Sequence, residues 1–221
     1  MTTLSAPTPA LPRPLLDATR LDGRTVSLEK LDPVRHAPGL WLAIGHDPAL
    51  WDQIPSGPFA AEEAFTIWLA ERAVKAGQTL YTVIDKAGST PAGLLLLLQI
   101  NPDMGTAEIG LVYGPALQRR VGGTEGVFLL IDYALGQSGY RRLEWRCGPP
   151  NLASNRAALR YGFTHEGLLR QTLWAKGRNW DTNVYSILDA EWSPRRARLA
   201  AWLAPGNFTG DGRQVKPLES F

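Results

Sequence analysis

The sequence predicts an α/β (α+β) protein in which helices flank a mixed central sheet of about seven strands. In the first two thirds of the chain, segments with strand patterns alternate with amphipathic segments that have the helical period. Toward the C-terminus, two strand patterns follow one another with only a polar loop between them, which favours an antiparallel hairpin. Connections of both kinds predict a sheet that contains parallel and antiparallel pairs.

Length and composition are those of a globular protein with one main domain. The chain has 221 residues, of which 44% are hydrophobic and 20% charged, enough to bury a substantial core. The longest apolar run, Leu94 to Leu98, is far shorter than the roughly 20 residues of a membrane helix, so we expect no membrane partner. We expect the proline-rich residues 1–14 to form a flexible tail, residues 15–192 the domain, and residues 193–221 a C-terminal helical extension and tail.

Cysteine and histidine usage argues against a disulfide framework and against a metal centre. Cys147 is the single cysteine, and the histidines are scattered without the spacing of metal ligands. The N-terminus has no pattern of a secretory signal, so a cytoplasmic location is expected. On its predicted strand, Cys147 is favoured as a core residue over a nucleophile.

Charge is distributed unevenly along the chain. The formal net charge is +2, but residues 119–178 contain nine arginines and one lysine against four carboxylates. Because no lysine-rich run or aromatic-interleaved basic stripe accompanies them, this balance favours a compact anionic ligand and argues against nucleic acid. Scattered surface arginines are the alternative.

The first half of the chain predicts two helices and four strands. Asp32 suits an N-cap and Pro33 the first helical position, so a helix begins there and is broken near Pro38. A second helix is predicted over residues 60–76, after a loop at residues 47–59. The predicted strands of this half are 25–31, 80–84, 93–100 and 106–113.

The central helix is predicted to begin after residue 123. Its apolar face consists of residues at the helical spacing: Val127, Leu130, Ile131, Ala134 and Leu135. Thr124 is a suitable N-cap, Glu125 suits the positive end of the helix dipole, and Gly139 can end the helix.

The turn before this helix predicts an anion site. Gly122 and Gly123 lie where the first helical N–H groups lack partners, and Arg119 and Arg120 lie beside them. Such an end is suited to a phosphate or pyrophosphate. The alternative is a glycine-rich turn with a solvated arginine pair.

The last third of the chain begins with a cleanly alternating strand over residues 141–147. One set of its side chains, Leu143, Trp145 and Cys147, points one way, and the other set, Arg142, Glu144 and Arg146, points the opposite way. The other predicted elements are a helix at 154–161, strands at 163–169 and 183–188, a polar loop at 174–181, a helix at 193–204 and a loose segment at 205–221.

This order of elements and motifs resembles the GNAT superfamily of N-acetyltransferases, and within it the RimJ/RimL-like branch, which acetylates ribosomal proteins. The residues that carry the resemblance are Ala107-Glu108-Ile109-Gly110, Gly123-Thr124-Glu125, Arg142-Leu143-Glu144, Asn151-Leu152-Ala153-Ser154-Asn155, Gly162-Phe163 and Glu166-Gly167. They span residues 107–167, and the flanking elements extend the fit from about 20 to about 190.

The resemblance implies a GNAT fold in which two parallel strands, here 106–113 and 141–147, splay apart and hold acetyl-CoA as a co-substrate. The superfamily motif Gln/Arg-x-x-Gly-x-Gly/Ala matches as Gln118-x-x-Val121-x-Gly123 or, one residue later, as Arg119-x-x-Gly122-x-Thr124. The first register is preferred because Thr-Glu is characteristic of the branch. The cofactor-binding residues that follow are Gly110, Leu111, Val112, Tyr113, Gln118, Arg119, Arg120, Val121, Gly122, Gly123, Thr124, Asn151, Ser154 and Asn155.

The resemblance also suggests two catalytic residues. Glu108 is the first candidate for the base, because it lies close to the position where some family members carry a catalytic glutamate; a structural glutamate is the alternative, and Glu166 is a weaker candidate. Many members use a tyrosine as the acid four residues before the Gly-Phe glycine, where this chain has Ala158. The resemblance gives this role best to Ser154, which matches the Asn-x-x-Ser position at which the branch carries a serine near the sulfur. A serine that merely caps a helix is the alternative.

The expected function is acetyl-CoA-dependent N-acetyl transfer to a primary amine, either a protein N-terminal α-amine or a small amine, without a metal. The acceptor pocket is predicted to be walled by the first two helices and the loop at 47–59, with Trp51, Asp52 and Phe59 as candidates. The loop at 174–181, with Arg178 and Asp181, is predicted to lie across it. The alternative is a GNAT-fold protein that binds acyl-CoA without turnover, as a sensor or partner module. A homodimer is compatible with the sequence.

Overall fold

Eight strands form one mixed sheet in the computed structural model, which describes residues 10–210 and 212–221. The strands are β1 (Arg20–Asp22), β2 (Val26–Lys30), β3 (Thr79–Asp85), β4 (Thr90–Asn101), β5 (Thr106–Tyr113), β6 (Arg142–Cys147), β7 (Thr164–Ala175) and β8 (Arg178–Leu188). Their order across the sheet is β1-β2-β3-β4-β5-β6-β8-β7. The pair β5 and β6 is parallel and the other pairs are antiparallel. The predicted mixed sheet is confirmed, with β1 as a short strand that the sequence did not suggest.

Helices cover both faces of this sheet. They are α1 (Pro33–Leu40), α2 (Glu62–Ala73), α3 (Val121–Ile131), α4 (Leu152–Tyr161) and α5 (Asp189–Leu203). Short π-helical turns continue α1 over Trp41–Gly45 and α3 over Asp132–Gln137, and 3₁₀ turns occupy Pro48–Trp51, Pro205–Asn207 and Leu218–Ser220. None of the described helices is both long and apolar enough to cross a membrane.

The core has two layers because side chains of each strand alternate between the faces of the sheet. Leu95, Leu97, Ile109 and Trp145 share one cluster with α3 and α5, whereas Val112 belongs to the opposite cluster with α1 and α2. The predicted apolar face of the central helix, Val127, Leu130, Ile131, Ala134 and Leu135, is buried in the first cluster.

The parallel pair β5 and β6 comes apart partway along. The two strands are paired from Thr106 with Arg142 to Ile109 with Trp145, and no further. Beyond that point β5 stays paired with β4, as far as Tyr113 with Gly93, while β6 stays paired with β8. Within the described part of the chain, residues 110–113 therefore have one backbone edge without a partner strand. The predicted splayed pair is confirmed, and we call this opening the fork.

The start of the central helix was predicted wrongly. Its N-cap is Arg120, with extended dihedral angles of φ −111° and ψ 160°, and helical geometry begins at Val121. Thr124 is instead an internal, buried helix residue whose Oγ1 accepts a hydrogen bond from Arg160 Nη1 at 3.0 Å. Gly122 and Gly123 remain within the first turn, so their N–H groups are still among those without helical partners.

Glu125 has a structural role that the sequence did not suggest. The buried carboxylate accepts hydrogen bonds from the backbone N–H groups of Arg24 at 2.7 Å, Thr25 at 2.6 Å and Val26 at 3.2 Å, and from the Thr25 hydroxyl. It thereby attaches α3 to the turn between β1 and β2. Four donors satisfy a charge that would otherwise be costly to bury.

The chain ends pack on the domain where they are described. Of the predicted tail, residues 1–9 lie outside the described part, and Arg13 N donates to Pro102 O at 2.9 Å. The last helix begins at Asp189 rather than 193, because the Glu191 side chain accepts from Leu188 N at 3.0 Å and fixes its start. The segment 205–221 is not loose where described: Leu218 is buried in the first cluster. The division into tail, domain and extension remains a prediction.

Candidate active site

Glu108 lies at the base of the fork, next to the last paired residues of β5 and β6. The alternation along β5 places its side chain on the face of α1 and α2, with 16% of it exposed. Burial raises the pKa of Glu108 to about 7, with Arg146 opposing this shift and Glu144 reinforcing it. A carboxylate with such a pKa is half ionised at neutral pH, which suits a general base.

A ladder of charged residues crosses the sheet from Glu108. The Glu108 carboxylate lies 3.5 Å from Arg146 Nε, whereas Glu144 receives two hydrogen bonds from the same guanidinium at 2.9 and 2.7 Å. Glu144 also accepts from Arg142 Nε at 3.0 Å, and Arg142 holds Glu166 with two bonds at 2.7 and 2.6 Å. We call these five residues the charge ladder. Of the three carboxylates in the charge ladder, Glu108 lies farthest from an arginine nitrogen.

The far end of the charge ladder is a structural ion pair. The two bonds from Arg142, together with one from Ser186 Oγ at 2.6 Å, lower the pKa of Glu166 to about 2. A carboxylate held so firmly in its ionised form is a poor proton acceptor at neutral pH. Glu166 is therefore the less suitable of the two candidate bases.

The start of α3 has the features of an anion site. Its N-cap residue Arg120 makes no side-chain capping bond, so the N–H groups of the first turn are left for another acceptor. A Cβ at Gly123 would lie 2.4 Å from Leu117 O, so only glycine allows the turn to pack this closely. Gln118 Nε2 donates to Tyr113 O at 2.7 Å and links the turn to the end of β5.

The predicted arginines lie at this site. Arg119 and Arg120 are exposed, and Arg119 adopts a left-handed conformation with φ 59°. Tyr113 contributes differently, because its buried hydroxyl donates to Gly123 O at 3.0 Å and is thus used within the protein. Uncapped N–H groups, two exposed arginines and a close glycine turn together fit a pyrophosphate group.

The motif after β6 forms the other side of the fork. Asn151 is the N-cap of α4, with its side chain accepting from Ser154 N at 3.1 Å, so the reading of Ser154 as a helix cap is wrong. Ser154 Oγ accepts from Trp145 Nε1 at 2.9 Å, and the Ser154 hydroxyl also forms a hydrogen bond with the side chain of Cys147. Cys147 is buried beside it, and burial raises the pKa of the Cys147 thiol, as expected of a core residue.

The side chain of Asn155 is used within the protein. Its Nδ2 donates to Asn151 O at 2.7 Å, and its Oδ1 accepts from Asn183 Nδ2 at 2.8 Å and Tyr185 Oη at 2.5 Å. These bonds fasten α4 to β8. Asn155 therefore has a structural role, and its contact with the cofactor stays a prediction.

Trp51 was predicted to line the acceptor pocket, but the structure buries it. This side chain is 0% exposed, donates from Nε1 to Ile44 O at 2.8 Å and packs edge-on against Phe59 at 4.9 Å between ring centroids. Trp51 is thus a core residue of the α1 and α2 layer rather than a pocket wall. Asp52, next to it, is exposed.

The predicted loop at 174–181 is a two-residue turn between long strands. Lys176 and Gly177 both have positive φ, as a tight hairpin turn requires. Asp181 accepts from Gln171 N at 2.8 Å and stabilises an irregularity in β7, and Arg178 stacks on Trp180 at 4.3 Å. Arg178 is exposed, and the place of both residues in an acceptor pocket stays a prediction.

The hairpin tip nevertheless reaches the other predicted wall. Lys176 Nζ donates to Trp51 O at 2.6 Å and so joins the tip to the 47–59 segment. Sequence reasoning missed this contact, and it missed the proximity of Glu144 and Arg146 to Glu108. The alternation of β6 placed both on one face, but only the parallel register brings that face beside Glu108. Within the described residues, no group of three or more His, Cys, Asp or Glu side chains is arranged to hold a metal.

Comparisons with known proteins agree with this geometry. Residues 26–164 match the family described as Acetyltransferase (GNAT) domain. Two curated relatives are the uncharacterized N-acetyltransferase YoaA of Bacillus subtilis (strain 168), 38% identical over 82 residues, and the uncharacterized N-acetyltransferase p20 of Bacillus licheniformis, 31% identical over 113 residues. These matches cover 37% and 51% of this chain, and 46% and 64% of the respective relatives.

Solved structures extend the likeness to nearly the whole chain. A GCN5-related N-acetyltransferase from Brucella melitensis is 38% identical, with a TM-score of 0.91 over 96% of this chain and 97% of that one. The structure of RimL, named a ribosomal L7/L12 alpha-N-protein acetyltransferase in complex with coenzyme A, has a TM-score of 0.67 over 76% of this chain and 97% of its own. At 22% identity this second likeness is one of fold alone. The family match spans more than half of the sequence, and the chain belongs to the GNAT acetyltransferase family.

Proposed function

We propose that the protein transfers an acetyl group from acetyl-CoA to a primary amine by direct attack of the amine. The observation that carries the proposal is the fork, with Glu108 at its base and an uncapped helix start beside it. The unpaired edge of residues 110–113 would hold the cofactor's arm, and the first turn of α3 with Arg119 and Arg120 its pyrophosphate. Acetyl-CoA supplies the acetyl group as a thioester, and the CoA thiol leaves.

Glu108 is proposed as the base that makes the acceptor amine neutral. At pH 7 the removal of a proton costs about 4.6 kcal/mol for a lysine side chain but only about 1.4 kcal/mol for an α-amine with a pKa near 8. A carboxylate with a pKa of about 7 can accept a proton from an α-amine with little loss, directly or through one water. The same base is poorly matched to lysine.

Ser154 is proposed as the donor to the leaving sulfur. Its hydroxyl oxygen is fixed by Trp145 Nε1 at 2.9 Å, and its hydrogen is not used by that bond. Because a thiol has a pKa near 8.5, the leaving thiolate needs a hydrogen bond more than full protonation. Serine can therefore serve where the family often has tyrosine, at the position of the buried Ala158.

We propose a chain-terminal α-amine or a small amine as the acceptor. The pKa match of Glu108 favours an α-amine over lysine. RimL, which shares the fold, is named an alpha-N-protein acetyltransferase, and this supports the same class of acceptor here. Asp52, exposed beside the hairpin tip, would face a cationic acceptor.

Incubation with acetyl-CoA and a matched pair of peptides tests the proposal. One peptide has a free α-amine and no lysine; the other has a blocked N-terminus and one lysine. We expect release of free thiol and a mass increase of one acetyl group on the first peptide, with a kcat/KM at least about tenfold above the second. Tight binding of acetyl-CoA without thiol release, for both peptides and for a panel of small amines, would instead favour the acyl-CoA sensor. The sequence feature that supports this alternative is Ala158 at the position of the usual tyrosine.

A further inference from the structure

We propose that Glu144 and Arg146 are positioning residues that keep Glu108 able to accept a proton, with Glu144 drawing the Arg146 guanidinium away from Glu108. This inference rests on the proposed function, because it assigns the surroundings of the proposed base.

The geometry of Arg146 is unequal between its two acidic neighbours. It makes two short hydrogen bonds to Glu144, at 2.9 and 2.7 Å, and approaches Glu108 only to 3.5 Å. Charge-assisted bonds at the shorter distances are much stronger than a contact at 3.5 Å. Glu144 therefore takes most of the stabilisation that Arg146 could give to an ionised Glu108.

The position of Glu144 adds a second effect of the same sign. Glu108 and Glu144 are register partners on the parallel strands, so their side chains stand side by side on one face at the spacing of neighbouring strands, roughly 5 Å. Two like charges at that spacing disfavour the ionisation of each other. The charged groups that act on Glu108 both come from β6, since β4 places the apolar Leu98 opposite it.

Glu144 is itself held by the arginines on either side of it in the charge ladder. Arg142 donates to it at 3.0 Å while holding Glu166 with two further bonds. Glu144 thus has partners on both sides, whereas among the described residues Glu108 has an ion pair only with the distant Arg146. Of the two carboxylates, Glu108 is therefore the one that the arginines hold less closely.

The two residues predict opposite effects when they are changed one at a time. In Glu144→Gln, the like charge is removed and Arg146 is released toward Glu108, so Glu108 should ionise at lower pH. In Arg146→Gln, the attracting charge is lost and that of Glu144 remains, so Glu108 should ionise at higher pH. In Arg146→Lys, which keeps the charge, the pH at which Glu108 ionises should lie between those of the wild type and of Arg146→Gln.

The ion pair Asp132–Arg196 provides matched controls, because it contains the same charges at 2.7 Å and lies on α5 and the π-helical end of α3. Asp132→Asn and Arg196→Gln change the net charge as Glu144→Gln and Arg146→Gln do. We expect both controls to leave the titration of Glu108 at its wild-type midpoint.

The experiment is a carboxyl-carbon NMR titration of the full chain labelled with ¹³C-glutamate, with the Glu108 signal assigned by its loss in Glu108→Gln. We expect midpoints displaced by about half a pH unit or more, downward in Glu144→Gln and upward in Arg146→Gln. Displacement in the same direction, or no displacement beyond that of the controls, would overturn the inference. Because this titration needs no substrate, it is independent of turnover.

The pH dependence of kcat then separates the inference from the proposed function. For each variant we divide kcat at pH 6.0 by its own plateau kcat at high pH. We expect this ratio to be at least about twofold higher than wild type in Glu144→Gln and at least about twofold lower in Arg146→Gln. If the NMR midpoints move but the rate profiles do not, the inference stands and Glu108 is not the base.

Discussion

The hydroxyl of Tyr113 donates a hydrogen bond to the carbonyl of Gly123 at 3.0 Å, and so joins the last residue of β5 to the first turn of α3. Gln118 makes a second link in the opposite direction, from its side chain to Tyr113 O at 2.7 Å. The fork and the proposed pyrophosphate turn are therefore held as one unit. Changes at this junction should affect stability and cofactor binding together.

Gly123→Ala tests the close approach at this junction. The new Cβ would lie 2.4 Å from Leu117 O, a backbone atom that can move only with the turn. We expect a loss of about 1–3 kcal/mol in the free energy of unfolding and at least tenfold weaker binding of CoA in calorimetry. Gly210→Ala is the control, since a Cβ there meets nothing within 4 Å. Wild-type affinity in Gly123→Ala would contradict the placement of the pyrophosphate.

Glu108→Gln tests the base. Because the pKa of Glu108 is about 7, the side chain is protonated and inactive as a base below that pH, and the wild-type kcat should rise as the pH increases through 7. In the variant this rise should disappear, and kcat at the plateau should fall about 100-fold. Calorimetry should give a CoA affinity within about twofold of wild type. A retained midpoint near 7 would mean that another group is the base.

Glu125→Gln tests the attachment of α3 to the turn between β1 and β2. An amide can replace only part of the four hydrogen bonds accepted by the carboxylate, and its NH₂ group would face backbone donors. We expect urea unfolding to show a loss of about 2–4 kcal/mol in the free energy of unfolding. The control is Glu71→Gln on the exposed side of α2, for which we expect a loss of less than about 0.5 kcal/mol. Equal stability of the two variants would contradict this role.

Glu166→Gln tests the ion pair with Arg142. The pKa of Glu166 is lowered from 4.5 to about 2, so its contribution to stability is complete above pH 4.5 and is lost as the pH falls toward 2. The side chain is partly exposed, which limits the contribution to about 1 kcal/mol or less. Urea unfolding should therefore find the variant less stable than wild type at pH 7, with a difference in the free energy of unfolding that shrinks as the pH falls toward 2. A difference that persists unchanged at low pH would argue against the pair as its source.

Local patterns predicted most of the fold correctly. The alternation of β6 and the helical period of α3 are properties of neighbouring residues, and both are confirmed. The N-cap was placed wrongly at Thr124 because threonine is a good capping residue, whereas Arg120 starts the helix without any side-chain bond. The buried position of Glu125 depends on the β1–β2 turn about 100 residues earlier, which no local pattern contains.

The candidate site was predictable only in part. Glu108, Ser154 and the turn at 118–123 could be proposed from motifs, because the spacing of such motifs is set along the chain, and their roles stay predictions. Trp51 was predicted as a pocket wall although it is buried, because a loop-like composition does not reveal what its side chains contact. The closeness of Glu108 to Arg146 depends on the register of two parallel strands, which is fixed by packing across the sheet.

Hydrogen–deuterium exchange with and without CoA tests most directly whether the cofactor lies in the fork. We predict that CoA slows exchange at residues 110–113 and 118–123, which would hold its arm and its pyrophosphate, and leaves the β1–β2 turn unchanged. Protection that appears instead in the open cavity of about 670 Å³ lined by residues such as Leu42, His46 and Pro91 would contradict the account, as would no protection at all.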